Sequence, residues 1–378
     1  VIGMKRTNGK SAGHFRWFTI AGIALLIFVL VAISAVHIYI TQQVRWLPGE
    51  SFSGAPTRNL QHLEDALAAH LQVLADDIGE RSLYKPAGMR AAERYITEQL
   101  SSFGLSPQTQ HYTVDAELIR QTSERLRSQY GTWLHEQLPA YPAEAGDVAL
   151  KNIWVEIPGT QKPERLLVVG AHFDTVANTP GANDNASGIA ALLELARALA
   201  KAPPGVTIIL VALSAEELPI GGIAGESGSS VFLDRLLAQN RIPIGMLSLE
   251  TMGFYSDEAG SQNYPAPLNY YYPEQGNFIA FVSDDSSREF VREFGGRFRQ
   301  HAEIASQSAT LPARLVPDVL RSDHETYILR GIPGMMVTDT ANFRYPDYHR
   351  STDSVARINI ENLARVVDGL LGAFSDMH

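Results

Sequence analysis

The chain has 378 residues, 45% apolar and 19% charged, with a formal net charge of −10. That length accommodates one α/β domain of more than ~200 residues together with a tail and an anchor. The absence of cysteine excludes disulfides, thiolate metal sites and a cysteine nucleophile, and the acidic balance argues against nucleic acid or anionic lipid as a ligand.

Residues 1–16 form a basic tail holding Lys5, Arg6, Lys10 and Arg16 and no acid. From Trp17 to Val44 there is no Asp, Glu, Lys or Arg. Residues 17–40, rising ~1.5 Å each, span ~36 Å as a helix, enough to cross a ~30 Å hydrocarbon core with some tilt. The positive-inside rule predicts a single-pass anchor in the cell (inner) membrane, its tail cytoplasmic and everything after about residue 41 periplasmic or extracellular. Trp17 and Trp46 flank the span as interface anchors. A cleaved signal peptide is the alternative, with Ala32, Ser34 and Ala35 as a weak cleavage site, but its apolar region is usually only ~7–15 residues. All 41 acids and 27 of the 31 basic residues lie beyond residue 40, so that part carries about −14.

Residues 41–57 read as a linker broken by Pro48, Gly49, Gly54 and Pro56, and 58–378 as one catalytic domain. Apolar residues at helical spacing (Leu60, Leu63, Leu67, Leu71, Leu74) predict a helix over 59–78. A second is predicted over 87–103, stopped by Gly104, and a third over 116–138. From residue 150 the pattern changes. Apolar runs at 152–157, 166–170, 207–213, 244–249, 278–282 and 334–337 predict strands, with helices at 188–201, 231–239 and 287–302 between them. Continuous apolar strands separated by helices imply an α/β fold whose sheet is covered on both faces. Ligands of such sheets sit beyond the carboxyl ends of the strands.

Chemistry-bearing residues gather at those ends. Residue 170 leads into Ala171-His172-Phe173-Asp174, where alternation points His172 and Asp174 the same way. An aspartate beside a ligand histidine suits holding the imidazole tautomer, although alone such a pair is more often an ordinary surface contact. Gly181-Ala182-Asn183-Asp184 is a tight turn opening a helix. Glu216 and Glu217 stand at the mouth of an apolar strand, and Glu250 ends another. Half-buried carboxylates are costly unless paired or bound to metal. His349, with Asp353 four residues on, completes the set from a polar loop. Two imidazoles and three carboxylates make up a paired-zinc inventory, with a further carboxylate left to move protons. Cobalt or manganese fit the same donors. The acid–histidine pair Asp323–His324 reads equally as substrate-pocket lining or as plain structural pairing. His62, His70 and His301 read as surface residues.

The ordered set His172-x-Asp174, Asp184, Glu216–Glu217, Glu250 and His349 resembles the di-zinc aminopeptidase family of the secreted bacterial leucyl aminopeptidase type. Glutamate carboxypeptidase II, glutaminyl cyclases and transferrin receptor ectodomains are its relatives. The resemblance covers roughly residues 56–378, and Ser322-Asp323-His324 and Gly331-Ile332-Pro333 add to it. It implies a mixed, mostly parallel zinc-exopeptidase sheet and two zinc ions. One would be held by His172, Asp184 and Glu250, the other by Asp184, Glu217 and His349. Glu216 would be the catalytic acid/base, with Asp174 and Asp353 supporting the ligands. The family often has aspartate where Glu250 stands, and the stretch after Glu217, through Ser229, departs from its usual pattern.

The function these residues imply is a membrane-anchored zinc exopeptidase that removes N-terminal residues from peptides. Two rivals stand beside it. A glutaminyl-cyclase-like acyltransferase would use one zinc, and a silent binding ectodomain would have no reason to keep all six residues. The lid-bearing aminoacylase class also begins with a His-x-Asp strand, but the Asp184 turn fits it poorly. The sequence does not reveal the preferred N-terminal residue or the oligomeric state.

Overall fold

The computed structural model describes residues 11–131 and 137–377. The basic residues Lys5, Arg6 and Lys10 and the end of the helix expected over 116–138 lie partly or wholly outside them. The chain divides into two units, Val1–Trp46 and Leu47–His378. In the first, α1 (Ser11–Tyr39) is a single helix. Residues Ile23–Val44 are long and apolar enough to cross a membrane, with a mean hydropathy of 2.7. Leu25, Leu26, Phe28 and Val31 are all exposed, as suits a helix apolar on every face.

The second unit is built from α2 (Gln61–Leu71), α3 (Pro86–Ser102), β1 (Gln108–Val114), α4 (Ala116–Tyr130), β2 (Val148–Ile157) and β3 (Lys162–His172). After these come α5 (Ser187–Lys201), β4 (Val206–Leu213), α6 (Gly228–Ala238), β5 (Gly245–Glu250) and β6 (Phe278–Asp284). The chain closes with α7 (Arg288–His301), β7 (Ala305–Leu311), α8 (His324–Leu329), β8 (Gly334–Thr338) and α9 (Ile360–Ser375). The eight strands form one sheet in the order β1-β2-β4-β3-β5-β8-β6-β7. Its centre is parallel: β3 runs beside β4 and β5, and β5 beside β8. Antiparallel pairs β1/β2, β2/β4 and β6/β8 flank that centre. The result is the mixed, mostly parallel α/β architecture that the apolar runs predict.

Alternation along the central strands sends one set of side chains to each face. Leu167, Val169 and Leu210 pack into the larger core with Leu193, Phe281, Phe294 and Phe374. Leu166, Val168 and Ile209 meet Phe232, Leu233 and Tyr327 on the other side. Each such fully buried side chain contributes roughly 1.5–3 kcal/mol, which is why the strands beneath the site are rigid supports.

Sequence periodicity does not predict β1, β7 or α9. Both strands are edges with polar alternation, Gln108-Thr109-Gln110-His111 and Ser306-Gln307-Ser308, so they lack the continuous apolar run of a central strand. His70 corrects a surface assignment. It is 5% exposed, its Nδ1 lying 2.6 Å from Tyr95 Oη and its Nε2 3.3 Å from Glu194. The stretch read as a linker also divides, because from Leu47 onward it packs onto the second unit. Leu47 is buried, and a Cβ on Gly295 would meet it at 2.9 Å. Arg299 donates to the carbonyls of Leu47 and Gly49. Ser306 N donates to Ser51 Oγ, which donates back to Ser306 O, and Glu303 accepts from the backbone of Thr57 and Arg58.

Candidate active site

The expected donors arrive at the carboxyl ends of the central strands from several elements. β3 is buried from Leu166 to its last residue, His172, which stands in register with Leu213 at the end of β4. Two residues beyond that end, Ala215 takes a positive φ (61°) and turns the chain so that Glu216 and Glu217 follow. Glycine is required just after: a Cβ on Gly221 would lie 1.6 Å from the carbonyl oxygen of Glu216. β5 ends at Glu250, beside Thr338 of β8. The turn Ala182–Ala186 leaves helical geometry at Asp184 (φ −114°, ψ 93°) before α5 begins. Its position is locked by close approach, since a Cβ on Gly188 would come within 2.4 Å of Leu249 O. His349 (φ 59°) enters from the loop after β8.

These five donors meet as two overlapping triads, His172–Asp184–Glu250 and Asp184–Glu217–His349. His172 Nε2 is 3.3 Å from Asp184 Oδ1 and 3.3 Å from Glu250 Oε2. His349 Nε2 is 3.0 Å from Asp184 Oδ2 and 3.4 Å from Glu217 Oε1. Tetrahedral donors around zinc at ~2.0–2.1 Å stand about 3.3 Å apart, so both triads have the span of a coordination shell. Asp184 gives one oxygen to each triad, as a bridging carboxylate does. His172 Nε2 and both oxygens of Asp184 are buried without a hydrogen bond. Orphaned polar atoms of this kind are costly unless something else satisfies them, and a cation does. The residues present fit zinc.

Electrostatics agree. Burial alone would lower both imidazoles, but Glu250 and Glu216 raise His172 well above its ordinary value, and Glu217 and Asp184 push His349 up to about 10. The same burial would raise Asp184, yet the two histidines hold it below the usual carboxylate range. Glu216 is pushed well above that range by burial and by Glu250 and Glu217. A crowd of carboxylates that favours positive charge suits a cation. Glu216 stands slightly apart, with Oε2 4.0 Å from His172 Nε2 and a side chain 22% exposed to the cleft.

Around the donors lies a supporting layer. Asp174 accepts the backbone N–H of Glu216 (3.3 Å) and of Glu217 (3.0 Å). His172 Nδ1 faces the carbonyl oxygen of Asp174 at 3.2 Å and its carboxylate at 3.5 Å. Asp353 supports Asp184 through the backbone, accepting from Asn183 N and Asp184 N, and also from Tyr345 Oη. Ser322 Oγ donates to Glu250 Oε2 at 2.8 Å. The pair Asp323–His324 splits. Asp323 lines the open cleft, its oxygens buried without a hydrogen bond, and burial, Glu250 and Asp174 raise it to about 7. His324 lies behind it, fully buried with Nε2 2.9 Å from Val319 O, and burial lowers it to about 4.

Sequence reasoning misses Arg81, whose buried guanidinium donates to the carbonyls of Leu74, Phe173, Gly79, Pro180 and Gly181 and so ties the His172 and Asp184 segments together. Tyr348 is stacked on His349 at 3.9 Å and 18°. Two cavities adjoin the donors. An open cleft, with room for water-sized spheres over ≈ 410 Å³, is lined by Glu216, Glu217, Asp323 and His349. A smaller apolar one of ≈ 110 Å³ is lined by Tyr264, Leu268, Phe278, Val282 and Met336, with Glu250 at its wall.

Comparison with known proteins supplies a family. The model of peptidase family M28 matches residues 152–373. The uncharacterized protein YfbL of Escherichia coli K12 is 36% identical over 230 residues, covering 58% of this chain and 69% of that one. Aminopeptidase YwaD of Bacillus subtilis strain 168 is 30% identical over 227 residues, 57% of this chain but only 42% of its own length. Among solved structures, BSAP, a zinc aminopeptidase from Bacillus subtilis, superposes with a TM-score of 0.60 at 17% identity, covering 84% of this chain and 95% of that one. Fold and family together define a zinc-dependent metallopeptidase of the aminopeptidase and exopeptidase class. The chain belongs to peptidase family M28.

Proposed function

We propose that this protein is a membrane-anchored di-zinc aminopeptidase. The observation that carries the reading is the pair of donor triads sharing Asp184, with its orphaned buried atoms. His172, Asp184 and Glu250 would hold one zinc, and Asp184, Glu217 and His349 the other. When bound, the ions would lower the pKa of a water toward neutrality and polarise the scissile carbonyl. Glu216, beside the donors and open to the cleft, takes the proton from the attacking water and delivers it to the leaving amine. Its raised affinity for protons suits the second half of that task. Asp174 keeps Glu216 and Glu217 in place through their backbone N–H groups.

The apolar cavity beside Glu250 takes the first side chain of a peptide, and the open cleft takes the rest. The helix at residues 17–40 holds the enzyme to a lipid bilayer, and the basic tail before it keeps the N-terminus cytoplasmic. The test is metal analysis of the purified chain together with a panel of aminoacyl and glutaminyl substrates. Two zinc ions per chain, aminoacyl hydrolysis, and loss of both on chelation are the expected results. One zinc with cyclisation of glutaminyl peptides would replace this reading by the acyltransferase.

A further inference from the structure

Arg321 is the one guanidinium lining either cavity among the described residues, and it lines both. Its surroundings are acidic: Glu216, Glu217, Asp323 and Glu325 share the open cleft with it. The side chain is 42% exposed. Nη1 donates to Asp318 Oδ1 (3.2 Å) and Asn342 Oδ1 (3.0 Å), and Nη2 reaches Tyr348 Oη at 3.4 Å. An ion pair between two side chains this exposed adds little to the stability of a fold, so folding alone does not account for the arrangement. What the contacts do is aim the group. The guanidinium lies 5.8 Å from the centre of the Tyr348 ring, which is itself stacked on His349. Arg321, Tyr348 and His349 thus form a stack running from the cleft rim to a zinc-donor imidazole.

We propose that Arg321 is a specificity-determining residue that binds a carboxylate carried by the residue following the scissile bond. The inference rests on the exopeptidase reading above. A planar fork of N–H donors pairs with a carboxylate in two parallel hydrogen bonds, the strongest neutralisation a side chain offers it. In a cleft that otherwise repels anions, this cation selects where an anion is accepted. Only three bonds separate the scissile carbonyl carbon from the α-carboxyl carbon of the next residue, less than ~4 Å. A dipeptide's C-terminus therefore stays close to the reacting carbonyl, in the cleft that Arg321 lines. The same reach serves an acidic side chain on that residue.

The test measures kcat/KM of the zinc-loaded full chain in detergent on Leu-Ala, Leu-Ala-amide and Leu-Glu-amide. Wild type is expected to favour a carboxylate-bearing peptide over Leu-Ala-amide by about tenfold or more, the scale of one charge-assisted pair. An advantage for Leu-Ala identifies the α-carboxylate as the ligand, and one for Leu-Glu-amide identifies the side chain. R321Q should shrink that advantage to about twofold or less, and R321K, which keeps charge but loses the fork, should restore part of it. Equal loss on all three peptides in R321Q would mark a merely structural arginine and overturn the proposal, as would a wild type with no preference. If wild type cleaves none of them, the exopeptidase reading itself falls and the proposal with it.

Discussion

Glu216 and Glu217 are neighbours in sequence, and Asp174 holds both their backbone N–H groups, yet their carboxylates stand in different places. Glu217 is 7% exposed, with Oε1 3.4 Å from His349 Nε2. Glu216 faces the cleft and belongs to neither triad. Glu216→Gln keeps size and hydrogen bonding but removes the base, so it should retain both metals while kcat falls at least ~10²-fold. Glu217→Gln should instead bind less zinc, because an amide is a poorer partner for a dication. Metal content and turnover of the two purified variants check this, and the opposite pattern would exchange the roles. At this scale, what the sequence made legible were isolated polar residues closing apolar runs: His172, Glu216–Glu217 and Glu250. What stayed hidden depends on partners far along the chain. Arg81 bonds to carbonyls 92 to 100 residues away, and no local pattern marks it.

Elements followed the same logic. β3, β4, β5 and β8 lie inside the sheet, so both faces of each must be apolar and the runs are unmistakable. β1 and β7 have one neighbour each, and their polar alternation hides them. The helix expected over 59–78 is continuous in direction, but α2 gives way after Leu71 to a wider turn through Ile78, which apolar spacing alone does not distinguish. The turn carrying Asp184 is the most informative short element. Asn183 and Asn185 on either side serve the backbone: Asn185 donates to Leu249 O, and its Oδ1 accepts from Gly188 N and Thr251 N. Asn183 Nδ2 donates to Asp339, which no motif singled out. The flanking asparagines fasten the turn to the ends of β5 and β8, so the proposed bridging carboxylate is held by two neighbouring strands of the sheet.

At the scale of the whole molecule, charge is divided as sharply as hydropathy. Four basic residues and no acid precede the apolar helix, and about −14 follows it. On the proposed topology the acidic unit lies outside the cytoplasm. Protease added to intact spheroplasts of cells making this protein should therefore digest the unit from Leu47 onward. Full protection until the membrane is permeabilised would reverse the orientation.

The segment Leu47–Arg58 has a consequence for self-association. An open strand edge invites another chain to add a strand, and proteins protect such edges or aggregate. Here β7 is an outer strand, and three of its outward-facing groups are already taken. Ser51 answers both the N–H and the carbonyl of Ser306, Arg299 adds a second donor to that carbonyl, and Tyr272 Oη donates to Ser308 O. The stretch that follows the apolar helix thus doubles as a guard on the sheet. A chain trimmed to begin at residue 47 should run as a stable species in sedimentation at rising concentration. One trimmed to begin at 59 loses Ser51 and the contacts to Glu303, and should associate into larger species; identical behaviour of the two would show that the edge needs no guard.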